Sequence, residues 1–219
     1  ASYATGFRTP TMNQLFFVDP SFPTPMPDLK PEKSKSMDIG IDQSFFDGRI
    51  KLSGGYFWNH YTNLMQFVFA PPVIGLTNIG QAQSKGYEVS ISAQVLKWLE
   101  IHGQYTRTMT RDLSQNVGAR LPQWPVDSAS AGFTLQPIDP LRLTLDYRYV
   151  GSRTNAFPLA EMDSFHVVSG SLSYDVIKQI QVYGRIENAF NARYEELLNF
   201  GTPSLSIFGG IKANYELPL

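Results

Sequence analysis

An all-β antiparallel meander whose strands cross a membrane is the fold this sequence predicts, and three observations point to it. Apolar residues recur at every second position in one segment after another. The connections between those segments alternate between tight and long, and charge is confined to one of the two faces that the alternation defines.

From the N-terminus, residues 1–8 alternate weakly. From Ser36, Met37, Ile39 and Ile41 share one face while Ser36, Asp38, Gly40 and Asp42 share the other, which predicts a half-covered strand. Residues 50–60 follow after the turn Phe46-Asp47-Gly48-Arg49. From Gly86, Tyr87, Val89, Ile91, Ala93 and Val95 oppose Gly86, Glu88, Ser90, Ser92 and Gln94. Residues 99–107 and 128–136 repeat the pattern. It sharpens where Leu141, Leu143, Leu145, Tyr147 and Tyr149 oppose Arg142, Thr144, Asp146 and Arg148. Residues 166–174 come next, then Ile180, Val182, Gly184 and Ile186 against Gln181, Tyr183, Arg185 and Glu187, and finally residues 205–217. That makes about ten strands.

Tight turns are predicted at 46–49, 96–98, 137–140 and 175–179, and long connections at 9–33, 68–80, 109–126, 151–164 and 190–203. A chain that turns tightly at one end and wanders at the other has the plan of an outer-membrane barrel, with short periplasmic turns and longer outer loops. The N-terminal Ala1-Ser2-Tyr3-Ala4 has no initiating Met and no leader character, so the chain is expected to begin part-way through a longer protein.

Composition excludes other classes. A net charge of -1 offers no basic stripe for nucleic acid, and no nucleic-acid partner is expected. The absence of Cys removes disulfide scaffolds, thiolate zinc sites and thiol chemistry. No apolar run is long enough for a membrane-spanning helix, whereas a spanning strand needs only about 9–11 residues.

Alternation alone does not separate a lipid-facing stripe from the core of a soluble sandwich. Two features favour lipid. Asp38, Asp42, Lys51, Glu88, Glu100, Arg142, Asp146, Arg148, Arg185, Glu187, Lys212 and Glu216 all fall on the polar face, and the apolar face is expected to carry no charge in those spans. Tyr56, Trp58, Tyr105, Tyr147, Tyr149, Tyr174 and Tyr215 share the apolar register toward strand ends, where amphipathic rings suit a headgroup boundary.

Several stretches, in order along the chain, resemble the C-terminal barrel region of TonB-dependent outer-membrane receptors. They are Gly6-Phe7-Arg8-Thr9-Pro10-Thr11 with Leu15-Phe16; Leu29-Lys30-Pro31-Glu32-Lys33-Ser34-Lys35-Ser36; Tyr56-Phe57 with Asn63-Leu64; Asn78-Ile79-Gly80 with Lys85-Gly86-Tyr87-Glu88; and Glu187-Asn188-Ala189-Phe190-Asn191-Ala192-Arg193-Tyr194. Ala189 stands where the family usually has Leu, and the chain ends on Glu216-Leu217-Pro218-Leu219 rather than on an aromatic residue, leaving Tyr215 as the candidate assembly signal. The resemblance implies a barrel of about 22 strands, with residues 1–219 its last ten or so and the earlier strands and an N-terminal plug upstream of Ala1. It also implies a Gram-negative outer-membrane location and TonB-energised import of a scarce ligand such as a ferric siderophore, cobalamin or haem. The implied partners are outer-membrane lipid and lipopolysaccharide, the chain's own plug and N-terminal strands, the TonB complex and a metal-chelate or other small-molecule ligand. Contact with the plug would then fall to the polar-face residues above and to His102.

In such a receptor the long outer loops hold the ligand. Phe16, Phe17, Phe67, Phe69, Arg111, Arg120, Trp124, Arg153, Phe157 and Arg193 are the loop residues with suitable chemistry, since aromatics cover planar ligands and Arg grips anionic chelates. Against this stands the plainer role of ordering the loops. No cofactor is expected. His60, His102 and His166 are too scattered for a metal cage, and Met12, Met26, Met65, Met109 and Met162 follow no ligand spacing, so no metal site is expected either. A passive porin is the alternative. A ten-stranded outer-membrane enzyme is a weaker one, since no Gly-x-Ser-x-Gly is present and Asp163 with His166 lacks a third partner.

Overall fold

The computed structural model describes residues 1–16, 28–70, 73–78, 80–114, 118–155 and 159–214, with backbone alone at 66–70 and 73–75. In chain order the elements are β1 (Ser2–Arg8), α1 (Met12–Phe16), β2 (Glu32–Phe45), β3 (Ile50–Thr62), β4 (Met65–Ala70), β5 (Val73–Asn78), β6 (Gln81–Leu96), β7 (Leu99–Asp112), β8 (Asp127–Ile138) and β9 (Leu141–Val150). They continue with β10 (Arg153–Asn155), β11 (Ala160–Met162), β12 (Phe165–Ile177), β13 (Ile180–Glu187), β14 (Glu195–Leu197), β15 (Phe200–Gly201) and β16 (Ser206–Ala213).

Ten strands form one sheet in the order β1-β2-β3-β6-β7-β8-β9-β12-β13-β16, and these are the ten that the alternation predicts. The remaining six pair off as the hairpins β4–β5, β10–β11 and β14–β15. The connections expected at 68–80, 151–164 and 190–203 are therefore not irregular: each carries a hairpin. Their strands are only two to six residues long, too short for the period-two pattern to stand out as it does in the sheet strands. The sheet strands also overrun their predicted ends, β2 starting at Glu32 and β7 reaching Asp112. With no second large sheet among the described residues, a soluble sandwich has nothing to pack against.

The chain divides into two compact units, each treated by itself. In the larger (41–54, 88–107 and 122–219), the tight turns follow a common rule. The first is a type I′ turn, with φ of 54° at Asp47 and 83° at Gly48, closed by the Arg49 N–H donating to the Phe46 carbonyl at 3.1 Å. A residue of each turn then accepts a backbone hydrogen bond from the next hairpin: Arg49 from Gln94, Trp98 from Gln136 and Pro140 from Asp175 at 2.8 Å each, and Gln179 from Asn214 at 2.9 Å. Four turns stitched in the same way hold neighbouring hairpins in one register.

That register assigns the faces. One row runs Ile101–Phe133–Leu145–Gly170–Ile186–Ile207, and the row four residues away runs Tyr105–Ala129–Tyr149–His166. The opposite face carries Glu100–Thr134–Thr144–Ser171–Arg185–Phe208 and His102–Gly132–Asp146–Ser169. Tyr105 lies well inside the end of β7, so what aligns it with Tyr149 is its cross-strand row rather than a strand terminus. Among the described residues nothing covers the apolar face, with Ile207 and Ile211 more than 70% exposed. Such a face on a regular sheet calls for a nonaqueous neighbour.

In the smaller unit (1–40, 55–87 and 108–121), β1 pairs with β2 in the register Arg8↔Glu32 through Ser2↔Asp38. Thr11 Oγ accepts the Gln14 N–H at 3.2 Å, and the Gln14 side chain accepts the Thr11 N–H at 2.9 Å, a reciprocal cap that starts α1 right after Pro10.

Candidate functional site

Residues of the recurring motifs come together in the smaller unit as a scaffold. Glu32 accepts two hydrogen bonds from Arg8, Nε at 2.6 Å and Nη2 at 3.1 Å, while its Oε1 accepts the Met65 N–H at 2.7 Å. Asn78 accepts from the Lys30 N–H at 2.8 Å and donates to the carbonyls of Lys30 at 3.0 Å and Asn63 at 2.5 Å. Asn63, at φ 59°, donates its side chain to Pro31 and its backbone N–H to Gly80. The network ties the start of β2 to the base of the β4–β5 hairpin, so these motif residues set the angle at which that loop leaves the sheet.

A second clamp stands after β13. Asn188, 3% exposed and at φ 50°, donates to the carbonyls of Ala192 at 2.9 Å and Pro203 at 3.2 Å and accepts the Ala192 N–H at 2.8 Å. Asn191 accepts the Leu205 N–H at 3.0 Å. Asn tolerates left-handed backbone and offers both a donor and an acceptor, which is why this turn is built of it. The clamp holds the β14–β15 hairpin against the end of β12.

Where that hairpin meets the β9–β12 connection lies the cluster with ligand-binding character. Phe165 stacks on Tyr194 with ring centroids 4.4 Å apart, and the guanidinium carbons of Arg148 and Arg153 stand 5.3 and 5.4 Å from the Phe165 ring centre. Arg148 pairs with Glu196. Arg153 is 5% exposed and donates from Nη2 to the carbonyls of Glu195 at 2.5 Å and Glu196 at 3.0 Å, while its Nη1 is buried with no hydrogen-bond partner among the described residues. Burial pulls the Arg153 pKa below the usual arginine value, Glu196 opposes that, and Arg148 adds to it. A cavity of about 370 Å³ opens here, lined among others by Gln104, Gln123, Arg148, Tyr149, Arg153 and Phe165. An aromatic floor, two guanidinium groups and one unused donor are the chemistry that takes a planar anion.

Of the predicted loop residues whose side chains are described, Arg153 alone lines this cavity. Trp124 is half exposed between two lining residues, Gln123 and Pro125, and Arg193 is exposed beside Tyr194. Phe16 ends α1 in the open, and Arg111 and Arg120 are exposed, all three in the smaller unit. Phe67 and Phe69 occupy alternate positions on β4, opposite Leu76 and Ile74, with side chains outside the described residues, as are Phe17 and Phe157 altogether. Phe165, Tyr194 and Glu196 were missed. Tyr194 belongs to a motif quoted above, so that signal was present in the chain.

The polar-face residues fall into place by register. His102 Nε2 lies 3.1 Å from Asp146 Oδ1 across Gly132, where a Cβ would sit 2.6 Å from Asp146 and 2.7 Å from His102. Lys51 shares a cavity of about 310 Å³ with Ser90, Ser92, His102 and Gln104, and Glu88 lies one alternation step before Ser90. Arg185 lies 3.4 Å from Glu187 and over Phe208, Arg142 donates to Gln136, Lys212 pairs in register with Gln181, and Asp38 accepts from Ser2. Asp42 continues the alternation of Asp38 along β2. His60 stacks on Trp58 and His166 on Tyr147, and Met162 is buried, so each has a packing role.

Comparison with known proteins agrees with this architecture. The family model described as TonB dependent receptor-like, beta-barrel matches residues 1–189. The catecholate siderophore receptor Fiu of Escherichia coli K12 is 23% identical over 186 residues, covering 78% of this chain and 24% of that protein. The vitamin B12 transporter BtuB of Vibrio vulnificus is 23% identical over 223 residues, covering 96% of this chain and 33% of that protein. The solved structure of the copper transporter OprC superposes with a TM-score of 0.82 at 18% identity, covering 97% of this chain and 35% of that one. The chain thus spans about a quarter to a third of the length of these relatives. The family is one of Gram-negative outer-membrane transport receptors, and with its matched span, its ten-stranded meander and its bare apolar face, this chain belongs to the TonB-dependent receptor β-barrel family.

Proposed function

We propose that residues 1–219 form the C-terminal part of the barrel of an outer-membrane receptor that imports an anionic metal chelate, a ferric siderophore fitting best, with energy drawn from TonB. One observation carries the ligand class: the Arg153 guanidinium, buried beside Phe165 with an Nη1 donor that has no acceptor among the described residues. A buried donor without an acceptor costs free energy until something accepts from it, and a catecholate or carboxylate oxygen would. The names of relatives, which span a siderophore, vitamin B12 and copper, agree with metal-chelate uptake while differing in cargo.

In this reading the earlier strands and the plug belong to the same polypeptide. The face holding His102, Asp146, Arg148, Arg185 and Glu187 turns toward the plug, because a wall of exchangeable hydrogen bonds can be broken and remade as the plug moves. The other face meets outer-membrane lipid, and this part of the chain carries no catalytic role. Arg148 lines the cavity from β9 and supplies a second positive charge, while Glu196 keeps it in place.

The test is uptake and binding of a ferric tris-catecholate by the full receptor. Arg153→Ala should weaken binding at least tenfold, Arg153→Lys should recover part of it, and uptake by the native receptor should vanish without TonB. TonB-independent flux with ohmic conductance would establish a passive porin instead, and unchanged binding in Arg153→Ala would refute the assigned site.

A further inference from the structure

Both guanidinium groups of the cluster around Phe165 already have acceptors, and one short hairpin, β14–β15, supplies them. Arg148 pairs with the Glu196 carboxylate, while Arg153 donates from Nη2 to the carbonyls of Glu195 at 2.5 Å and Glu196 at 3.0 Å. The two contacts differ in kind. A carbonyl is a neutral acceptor that fixes a guanidinium in place, whereas a carboxylate also neutralises it. Glu196 lines the cavity as well, and its charge reaches Arg153, opposing the fall in pKa that burial causes there. A cavity whose two cations suit an anionic chelate thus already holds an anion.

The hairpin is built so that this carboxylate can leave without cost to the loop. Its order comes from other contacts: the Asn199 N–H donates to the Glu195 carboxylate at 2.9 Å, Thr202 Oγ donates to the Tyr194 carbonyl at 2.7 Å, and Glu195 pairs with Gly201 and Leu197 with Phe200 across the strands. Asn188 holds its feet through Ala192 and Pro203. None of these contacts uses the Glu196 side chain, whose hydrogen-bond partner among the described residues is Arg148. The side chains of that pair are each about half exposed, and an ion pair that water reaches holds weakly. Arg153, by contrast, is buried and anchored by backbone.

We infer that Glu196 is a specificity-determining residue of this site: its carboxylate is a resident anion that keeps small anions off Arg148 and yields to a multiply charged chelate. The inference rests on the chelate site proposed above. Admission is an exchange of acceptors alone. Arg148 gives up a Glu196 oxygen and takes a ligand oxygen, no proton moves, and the displaced carboxylate turns to water. Inorganic phosphate or a small carboxylate, engaging one guanidinium at a time, gains little over the carboxylate already there and is repelled by it. A ferric tris-catecholate carries more charge and spans both guanidinium groups, so its hold on Arg153 raises its effective concentration at Arg148. Arg153 Nη1, with no acceptor among the described residues, gives such a ligand its first contact.

The experiment measures binding of a ferric tris-catecholate to the full receptor in detergent by equilibrium dialysis, with and without inorganic phosphate at constant ionic strength. Phosphate should leave the native receptor unaffected. Glu196→Gln, which keeps the size and an acceptor oxygen but removes the charge, should bind the chelate about tenfold more tightly, and phosphate should cancel most of that gain. The gain should also disappear when Arg148→Ala is combined with it. Unboiled electrophoretic mobility reports whether each barrel is folded. Weaker or unchanged chelate binding by Glu196→Gln would make Glu196 a mere brace for Arg148 and overturn the inference, as would a native receptor as sensitive to phosphate as the variant. Arg153→Ala in the same titration separates the two levels: if it binds like the native receptor, the chelate site itself is lost and this role of Glu196 with it.

Discussion

Leu145 gives the sharpest test of which face meets lipid. It stands four residues from Tyr149 and four from Leu141, whose row includes Tyr174, so it lies midway between the two aromatic levels of the apolar face. Four residues at about 3.3 Å each, tilted by about 40°, put Leu145 roughly 10 Å from either level and hence at the midplane. Arg placed there should cost about 2–4 kcal/mol. Leu143, two residues nearer the inner level, should cost less. Thr144 lies between them in sequence but points the other way, 3.3 Å from Thr134 Oγ and in register with Ser171, so Thr144→Arg should change stability by no more than about 0.5 kcal/mol. The assay is urea unfolding of the full receptor refolded into phosphatidylcholine vesicles, followed by heat-modifiable mobility. The expected order of loss is Leu145→Arg, then Leu143→Arg, then Thr144→Arg. Equal losses, or the greatest loss at Thr144→Arg, would refute the assignment of faces.

Other outcomes follow from the same geometry. Asn188→Ala deletes three hydrogen bonds and leaves Ala at φ 50°, a loss of about 2–4 kcal/mol that should appear as protease cleavage between residues 188 and 203 at concentrations that spare the native receptor. Gly132→Ala should force His102 and Asp146 apart, since the new Cβ would lie under 3.0 Å from both, and the His102 ring resonances should move in the NMR spectrum as that contact is lost. Glu32→Gln should keep the Met65 contact but weaken the pair with Arg8, loosening the β4–β5 hairpin, which hydrogen exchange at residues 65–78 would detect as faster.

Period-two alternation and turn chemistry, both local, were enough to find all ten strands of the main sheet and the tight turns between them. A strand with one greasy side must show apolar residues at every second position, and Asp47-Gly48 writes its turn type in the residues themselves. The division of charge between faces was legible for the same reason, save at Arg107, which stands on the Tyr105 face in register with Asp127. The three loop hairpins were not, because their strands pair through the backbone and two of them are held by side chains outside them, Glu32 and Asn188. Nor was the cluster around Phe165: Arg148, Arg153, Phe165 and Tyr194 belong to separate segments, and nothing in the composition of those segments announces that one ring gathers two guanidinium groups. Lys33 fell within the predicted connection 9–33 until the pairing with β1 extended β2 back to Glu32. Side-chain direction in a strand follows from sequence once its limits are known, but those limits are set by backbone hydrogen bonds to a neighbour, and only the folded chain supplies that neighbour.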